Sequence, residues 1–417
     1  MSAAEDRAET AAQLALLRDP ATIRRRAHAM LALAEHDALP HFRLHPERLD
    51  VAADYVAAVI RDNYPDLAIP YHARWRHFAA GGRDRWGALA RMLEDQSGEE
   101  VARIRFDLCV VSVLLDAGAG PDWAFTEDGQ RIARSEGLAV ASLHAFATGL
   151  FSGDPTHPLR ADAEGLSRID AASLGAAFQV GPGNPLEGLE GRAALMRALG
   201  AALRARPDIF GPQARIGRLY DHLAAQAGGG ALPGALPARV VLAAVLEGFA
   251  PIWPSRLSLG GENLGDVWRH PLAAPEEPAP GLLPFHKLSQ WLSYSLIEAL
   301  EDAGLRVTGL DELTGLPEYR NGGLFLDLGV LELRDPALAE HPLPVEHEAI
   351  VEWRALTVAL LDRVAEGVRD RLGFTAAEMP LARVLEGGTW AAGRRIAREK
   401  RPGGTPPLNV RSDGTVF

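Results

Sequence analysis

Cysteine is nearly absent: Cys109 stands alone among 417 residues. One thiol cannot close an intramolecular disulfide, and it removes cysteine-cluster zinc and iron–sulfur sites from consideration. Its neighbours Leu108, Val110 and Val111 are apolar, which predicts a buried, inert side chain. Lysine is almost as scarce. Lys287 and Lys400 are the two lysines among 43 basic residues, and arginine supplies the others. A background so rich in Ala, Gly, Leu and Arg reflects GC-biased coding and says nothing about fold, but it makes each lysine worth following. Positive charge is also outweighed, 43 against 55, for a formal net charge of −12. That balance argues against a nucleic acid polymer as ligand, since backbone binding needs a basic footprint. No run approaches the roughly eighteen apolar residues of a membrane-spanning helix. The acidic, alanine-rich start lacks the basic-then-apolar pattern of a secretory leader. A cytoplasmic protein without membrane attachment is the expectation.

Hydrophobic residues make up 47% of the chain and charged ones 24%, enough apolar material for one large core or two ordinary ones. Helical periodicity dominates. Apolar residues recur at spacings of three and four over 51–61, 101–117, 131–150, 192–206, 239–250, 285–302 and 346–371. Alternation with period two is confined to 306–308 and the stretch around 329–333. Proline and glycine mark loops at 152–160, 227–238 and 270–284, none long enough to divide the chain into separate domains. The expected architecture is mainly α: a single large helical domain with a few short β-strands. It divides into a helical or flexible segment over 1–20, a catalytic body over 21–400, and an extended tail over 401–417. The tail ends in Val416 and Phe417 after an Asp413-Gly414 turn, a pattern that predicts docking onto the body.

Standard catalytic signatures are missing: no Walker A sequence, no strand-borne Gly-x-Gly-x-x-Gly, no His-Glu-x-x-His, no Gly-x-Ser-x-Gly. The histidines His36, His41, His45, His341 and His347 read as solvated loop residues, and neither metal nor cofactor is expected. Three segments hold candidate chemistry. Pro284 is placed to open a helix, on which Lys287, Gln290, Trp291 and Tyr294 fall at i, i+3, i+4 and i+7 and so share one face. Rings, an amide and a cation together suit a pocket wall, although a packing face with polar tips would read the same way. Next, Glu318, Tyr319 and Arg320 lie between Pro317 and Gly322-Gly323, a turn that would present a carboxylate beside a guanidinium. Third, Gly387-Gly388-Thr389 precedes Trp390, Arg394, Arg395 and Arg398; Thr389 as N-cap would leave an anion-attracting helix start. Asp116 to Pro121, Arg134 to Gly137, and Phe178 followed by Asn184-Pro185 are weaker candidates.

The blocks Arg105 to Pro121, Arg134 to Ser142, Asn184 to Arg192, Pro284 to Tyr294, Leu313 to Gly323 and the tail Ser412 to Phe417 resemble the uracil-catabolism (Urc/Urg) family of fungi and bacteria, in order and over nearly the whole chain. The resemblance implies a place in the breakdown of uracil through a ribosylated intermediate that liberates urea, with other enzymes of that route as partners. A more distant resemblance links Phe285-His286-Lys287-Leu288-Ser289-Gln290 and Thr314-Gly315-Leu316-Pro317-Glu318-Tyr319-Arg320 to the queuosine salvage N-glycosidases. It implies a queuosine-salvage-like or DNA-glycosylase-like helical body and a hydrolase acting on an N-glycosidic bond. Glu318 would be the catalytic carboxylate; that family's second, helix-borne aspartate falls at Ser295, a departure. Lys287 and Arg320 would hold a 5′-phosphate or the leaving oxygen. Gln290 would read the ureido edge, Trp291 and Tyr294 would stack, and Tyr319, Phe178 and Arg192 would complete the lining. The substrate is expected to be a ribosylurea or a related nucleoside or nucleotide. A ureido amidohydrolase acting on the ring-opened intermediate and a non-catalytic binder of a nucleotide intermediate are the alternatives.

Overall fold

Helix starts are set by side chains that the sequence supplies at the right offsets. Asp19 accepts from the Ala21 amide with Pro20 in the first turn, opening Pro20–Glu35. Ser97 accepts from the Glu100 amide to open Gly98–Leu114, with Glu99 and Glu100 against the positive helix end. A computed structural model describes residues 3–227, 234–253 and 256–411, and it is mainly helical as expected. The periodic segments become Leu49–Asn63, Gly98–Leu114, Arg134–Ala147, Leu189–Ala205, Ala238–Phe249, Lys287–Asp302 and Glu348–Leu372. Strands occur, among the described residues, only in two-stranded pairs. Both expected strands are present. Arg306–Thr308 runs parallel to Ala235–Pro237, and Leu331–Leu333 antiparallel to Phe42–Leu44.

Two boundaries differ from the periodicity. Residues 130–133 form the second strand of a hairpin with Ala124–Glu127, so the next helix starts at Arg134. Pro284 does not open a helix; it ends the strand Leu282–Pro284, paired with Val267–Arg269. The Lys287–Asp302 helix begins after His286, whose φ of 47° makes the turn, and its first amide is capped from afar by Asp266 Oδ2 at 2.9 Å.

One contiguous apolar core runs through the described chain, with a small satellite around Leu17, Leu264, Val267, Ala279 and Leu282. Its axis is Glu348–Leu372, buried over most of its length and packed on Pro20–Glu35 and Leu49–Asn63. Cys109 is fully buried there, and desolvation pushes its thiol up to about 12. Lys287–Asp302 packs on Gly98–Leu114, and Tyr319–Asp327 packs on Trp390–Lys400. The two helix pairs frame a cavity. The chain at 401–411 crosses its rim: Arg401 grips Asp327 with two bonds of 2.6 Å, and Val410-Arg411 pairs with Leu343–Pro344. Val416 and Phe417 lie outside the described residues.

Candidate functional site

The cavity between these helices has a volume of about 430 Å³, the scale of a small-molecule site. Of the nine residues to which the resemblance gives site roles, five line it: Lys287, Trp291, Glu318, Tyr319 and Arg320. Two motifs separated by some thirty positions therefore meet, and a buried ion pair brings them together. Arg354 donates to both oxygens of Asp266 at 2.7 and 2.8 Å and reaches the Pro317 carbonyl at 3.3 Å. Asp266 caps the Lys287 helix, and Pro317 precedes Glu318. One guanidinium thus fixes both sides of the site from behind. Burial pushes the Asp266 carboxyl up, but the charge and hydrogen bonds of Arg354 outweigh it and hold the group well below the usual carboxylate range.

Glu318 is itself a helix cap. Its two oxygens accept from the amides of Arg320 at 2.9 Å and Asn321 at 2.6 Å, opening Tyr319–Asp327. Each oxygen keeps lone-pair capacity toward the cavity. Lys287 sits beside it; burial pulls the ammonium pKa down, while Glu318, Asp266 and Asp116 act in the opposite direction.

A second carboxylate, Asp116, stands in the same cavity as Glu318. It follows the Gly98–Leu114 helix and lines the cavity, where Ser135 Oγ donates to Oδ2 at 2.5 Å and Arg74 Nη1 approaches at 3.2 Å. Ser295, where the resemblance would put an aspartate, is fully buried and outside the cavity; its hydroxyl accepts from the Arg74 amide at 2.9 Å. A serine there helps to place the arginine that orients Asp116.

Gln290, Tyr294, Phe178 and Arg192 do not line the cavity. Gln290 Oε1 accepts from the Thr314 amide at 3.3 Å, and the Tyr294 hydroxyl donates to the Thr314 carbonyl at 3.0 Å. Both brace the Glu318 loop from within the core: Tyr294 lies two turns, about 10 Å, further along the helix axis than Lys287, and Gln290, one turn along, is rotated about 60° from Lys287 to the side of Thr314. Phe178 is packed under Trp123, whose indole donates to its carbonyl at 3.0 Å. Arg192 turns inward to the carbonyls of Leu115, Ala117, Gly118 and Glu187, holding the loop that carries Asp116; burial lowers its pKa to about 10.

The third sequence candidate is corrected in its mechanism. Leu385–Thr389 is a π-helical turn inside a continuous helix, so Thr389 caps nothing and the Gly-Gly segment presents no helix start. Arg394 and Arg398 still line the cavity, one turn apart, while Arg395 faces away to Asp62 at 2.6 Å. Trp390 lies between, with Arg320 stacked 4.5 Å and Arg394 4.7 Å from its ring centroid. Gly393 makes this possible: a Cβ there would stand 2.2 Å from the Arg320 carbonyl.

A ring cluster at the base of the cavity escapes sequence reasoning. His72 and His77 each lie against both Trp291 and Trp390, with centroids 5.6 to 6.2 Å apart. His72 Nδ1 is 2.7 Å from Glu386 Oε2, which fixes its ring. Buried His77 has an Nδ1 without a partner among the described residues, and its pKa is held well below normal by burial and then by the charges of Arg74, His72, Arg320 and Arg394. The readable signal was the density of His, Arg and Trp in Tyr71 to His77, beside a short helix. Arg134, at a φ of 60°, and Ser135 reach the cavity from the hairpin exit. Among the described residues, no three His, Cys, Asp or Glu side chains are grouped to hold a metal ion, and no helix is long and apolar enough to cross a membrane.

Comparison with known proteins accords with this continuity of fold and site. A family model described as "Protein of unknown function (DUF1688)" matches residues 16–417. The chain is 40% identical to protein urg3 of Schizosaccharomyces pombe over 422 residues, covering 98% of this chain and 99% of the relative. It is 38% identical over 410 residues to uracil catabolism protein 4 of Lachancea kluyveri, covering 90% and 92%. With cavity-lining residues spread from His72 to Val410, all within the matched span, the chain belongs to the DUF1688 family.

Proposed function

We propose that this protein acts in uracil catabolism as a hydrolase of the N-glycosidic bond of a ribosylurea or related nucleoside, releasing urea and a ribose species. The pathway rests on the name of its Lachancea relative. The reaction rests on one observation: Lys287, Glu318 and Asp116 line a single cavity with a flat Trp291 wall.

Breaking the C1′–N bond leaves positive charge on the sugar ring, and a nearby fixed carboxylate stabilises that charge. Glu318, locked by two amides, is suited to this because it needs no reorganisation. Asp116 keeps Oδ1 for a water molecule, whose oxygen attacks C1′ as one of its protons passes to the carboxylate. The bonding pair leaves with the ureido nitrogen, which must gain a proton. Lys287, its pKa lowered by burial, is the acid at hand, and its hydrogen bond to the ureido oxygen draws charge out of the breaking bond. Water is consumed, one C–N bond breaks and one C–O bond forms. Trp291 offers its face to the planar ureido group.

The test is urea release from ribosylurea and from its 5-phosphate by the purified full chain. Glu318→Gln and Asp116→Asn should each lower the rate about 10²–10³-fold while the protein stays folded. No urea from either substrate, or an undiminished rate in Glu318→Gln, would overturn the assignment.

A further inference from the structure

One wall of the cavity carries arginines whose donors are left over. Five cationic side chains line the space, Arg134, Lys287, Arg320, Arg394 and Arg398, against three carboxylates, Asp116, Glu318 and Asp327. The carboxylates have other engagements. Asp327 is gripped on both oxygens by Arg401, Glu318 caps a helix, and Asp116 is held by Ser135 and Arg74. None accepts from a guanidinium of this wall. Arg320 lies over the Trp390 ring, its Cζ 4.5 Å from the ring centroid and 5.2 Å from that of Tyr319, and its guanidinium makes no hydrogen bond or ion pair with any described residue. The same holds for Arg134 and Arg398. Arg394 commits Nη1 to Glu136 at 2.7 Å and keeps its other donors.

The arrangement differs from an ordinary solvated basic face. Stacking on an indole fixes the plane of a guanidinium and leaves its edge donors pointing outward, which lowers the entropy cost of gripping an oxyanion. These cations also come from three separate elements, the start of Arg134–Ala147, Tyr319–Asp327 and Trp390–Lys400, and they converge on one side chain. The positive charges acting on the Tyr319 phenol are those of Arg320, Arg134 and Arg394. Donors converging from three directions match the three terminal oxygens of a phosphomonoester better than the single plane of a carboxylate. The chain at 403–410 closes the rim over this end, with the Arg398 stem beneath Gly404.

We propose that Arg134, Arg320, Arg394 and Arg398, with the Tyr319 hydroxyl, form a phosphomonoester subsite, so that the substrate is phosphorylated and lies with its phosphate under the 403–410 chain and its reacting end at Lys287 and Glu318. This rests on the glycosidase reading for the second end of the ligand; the subsite itself does not. It also separates roles that the motif resemblance assigns jointly to Lys287 and Arg320, leaving the lysine to the reacting end. The large negative charge of the protein elsewhere makes such a local positive wall a selective one, because it favours a small dianion over polyanions.

Calorimetric titration of the full chain with inorganic phosphate, ribose and ribose 5-phosphate tests the subsite. Ribose 5-phosphate is expected to bind at least about tenfold more tightly than ribose, with inorganic phosphate competing. Arg320→Gln and Arg398→Gln should each erase most of that preference. Arg395→Gln, which removes the same charge from the outer face of the same helix, should keep it. Arg398 is exposed, so its variant reports even where Arg320→Gln folds poorly. Equal binding of ribose and ribose 5-phosphate, or an equal loss in Arg395→Gln, would overturn the subsite. The two readings fail separately. A preference for ribose 5-phosphate without urea release from either ribosylurea sinks the glycosidase reading alone. Urea release at equal kcat/KM from ribosylurea and its 5-phosphate sinks the subsite alone.

Discussion

Arg354, Arg74 and Arg192 on one side, and Arg320, Arg134 and Arg398 on the other, are the same residue put to opposite uses within one site. The first three are almost wholly inaccessible, and their guanidinium groups are tied to carboxylates, hydroxyls and carbonyls behind the cavity. The second three reach the cavity and have no polar partner among the described residues. In a chain where nearly every cation is arginine, residue type carries little information; what the donors already hold carries most of it. The back row sets geometry and should show up in stability. The front row is held ready and should show up in binding.

The largest effect is expected from breaking the back row. Arg354→Leu would leave Asp266 buried without its counter-ion and should cost about 3–5 kcal/mol, read as a large drop in the melting temperature and a loss of activity together. Gly393→Ala attacks the junction between the rows: its Cβ would collide with the Arg320 carbonyl, forcing the two helices apart at a cost of about 1–3 kcal/mol. Weakened ribose 5-phosphate binding should accompany that loss.

A smaller effect should follow from pH. Unfolded His77 takes up a proton as pH falls through 6.5, whereas in the folded protein its pKa lies well below that, so the unfolded state binds more protons. Stability should therefore be fully present above pH 6.5 and decline as pH falls below it. Melting curves of wild type and His77→Gln at pH 7.5 and 5.5 check this, and an unchanged pH dependence in the variant would remove His77 as its source. The smallest effect belongs to the front row. Arg398→Gln should leave stability within about 0.5 kcal/mol of wild type. A larger loss would mean that the two rows are not distinct.

The helical architecture was legible because long amphipathic stretches such as 346–371 need only local periodicity to be read. The junctions were less so. Pro284 satisfies the rule for a helix start, yet the chain places it at a strand end, since the cap of the next helix comes from Asp266, which is distant in sequence. The site divides in the same way. Lys287, Trp291, Glu318, Tyr319 and Arg320 could be picked out by composition against spacing, and the structure brings them to one cavity. Tyr294 shares the angular face of Lys287 but lies deeper along the axis, which a helical projection does not record, while Gln290 stands on the edge of that face, about 100° from Trp291, and turns to Thr314. Asp116, His72 and Trp390 owe their places to long-range packing, and no spacing in the chain marks them as neighbours.

The π-helical turn at Leu385–Thr389 has a consequence of phase. An extra residue in one turn rotates everything after it by about 100° relative to an uninterrupted α-helix. Glu386, at the start of the turn, points to His72, while Trp390, Arg394 and Arg398 beyond it are brought onto the cavity, and the glycines at 387 and 388 let Val56, Ile60 and Ile69 fill the inside of the swelling. Three lining residues are thus clocked by one insertion. Deleting a single residue from that turn would swing them together away from the ligand while leaving each side chain intact, a rotational key that point substitution cannot reproduce.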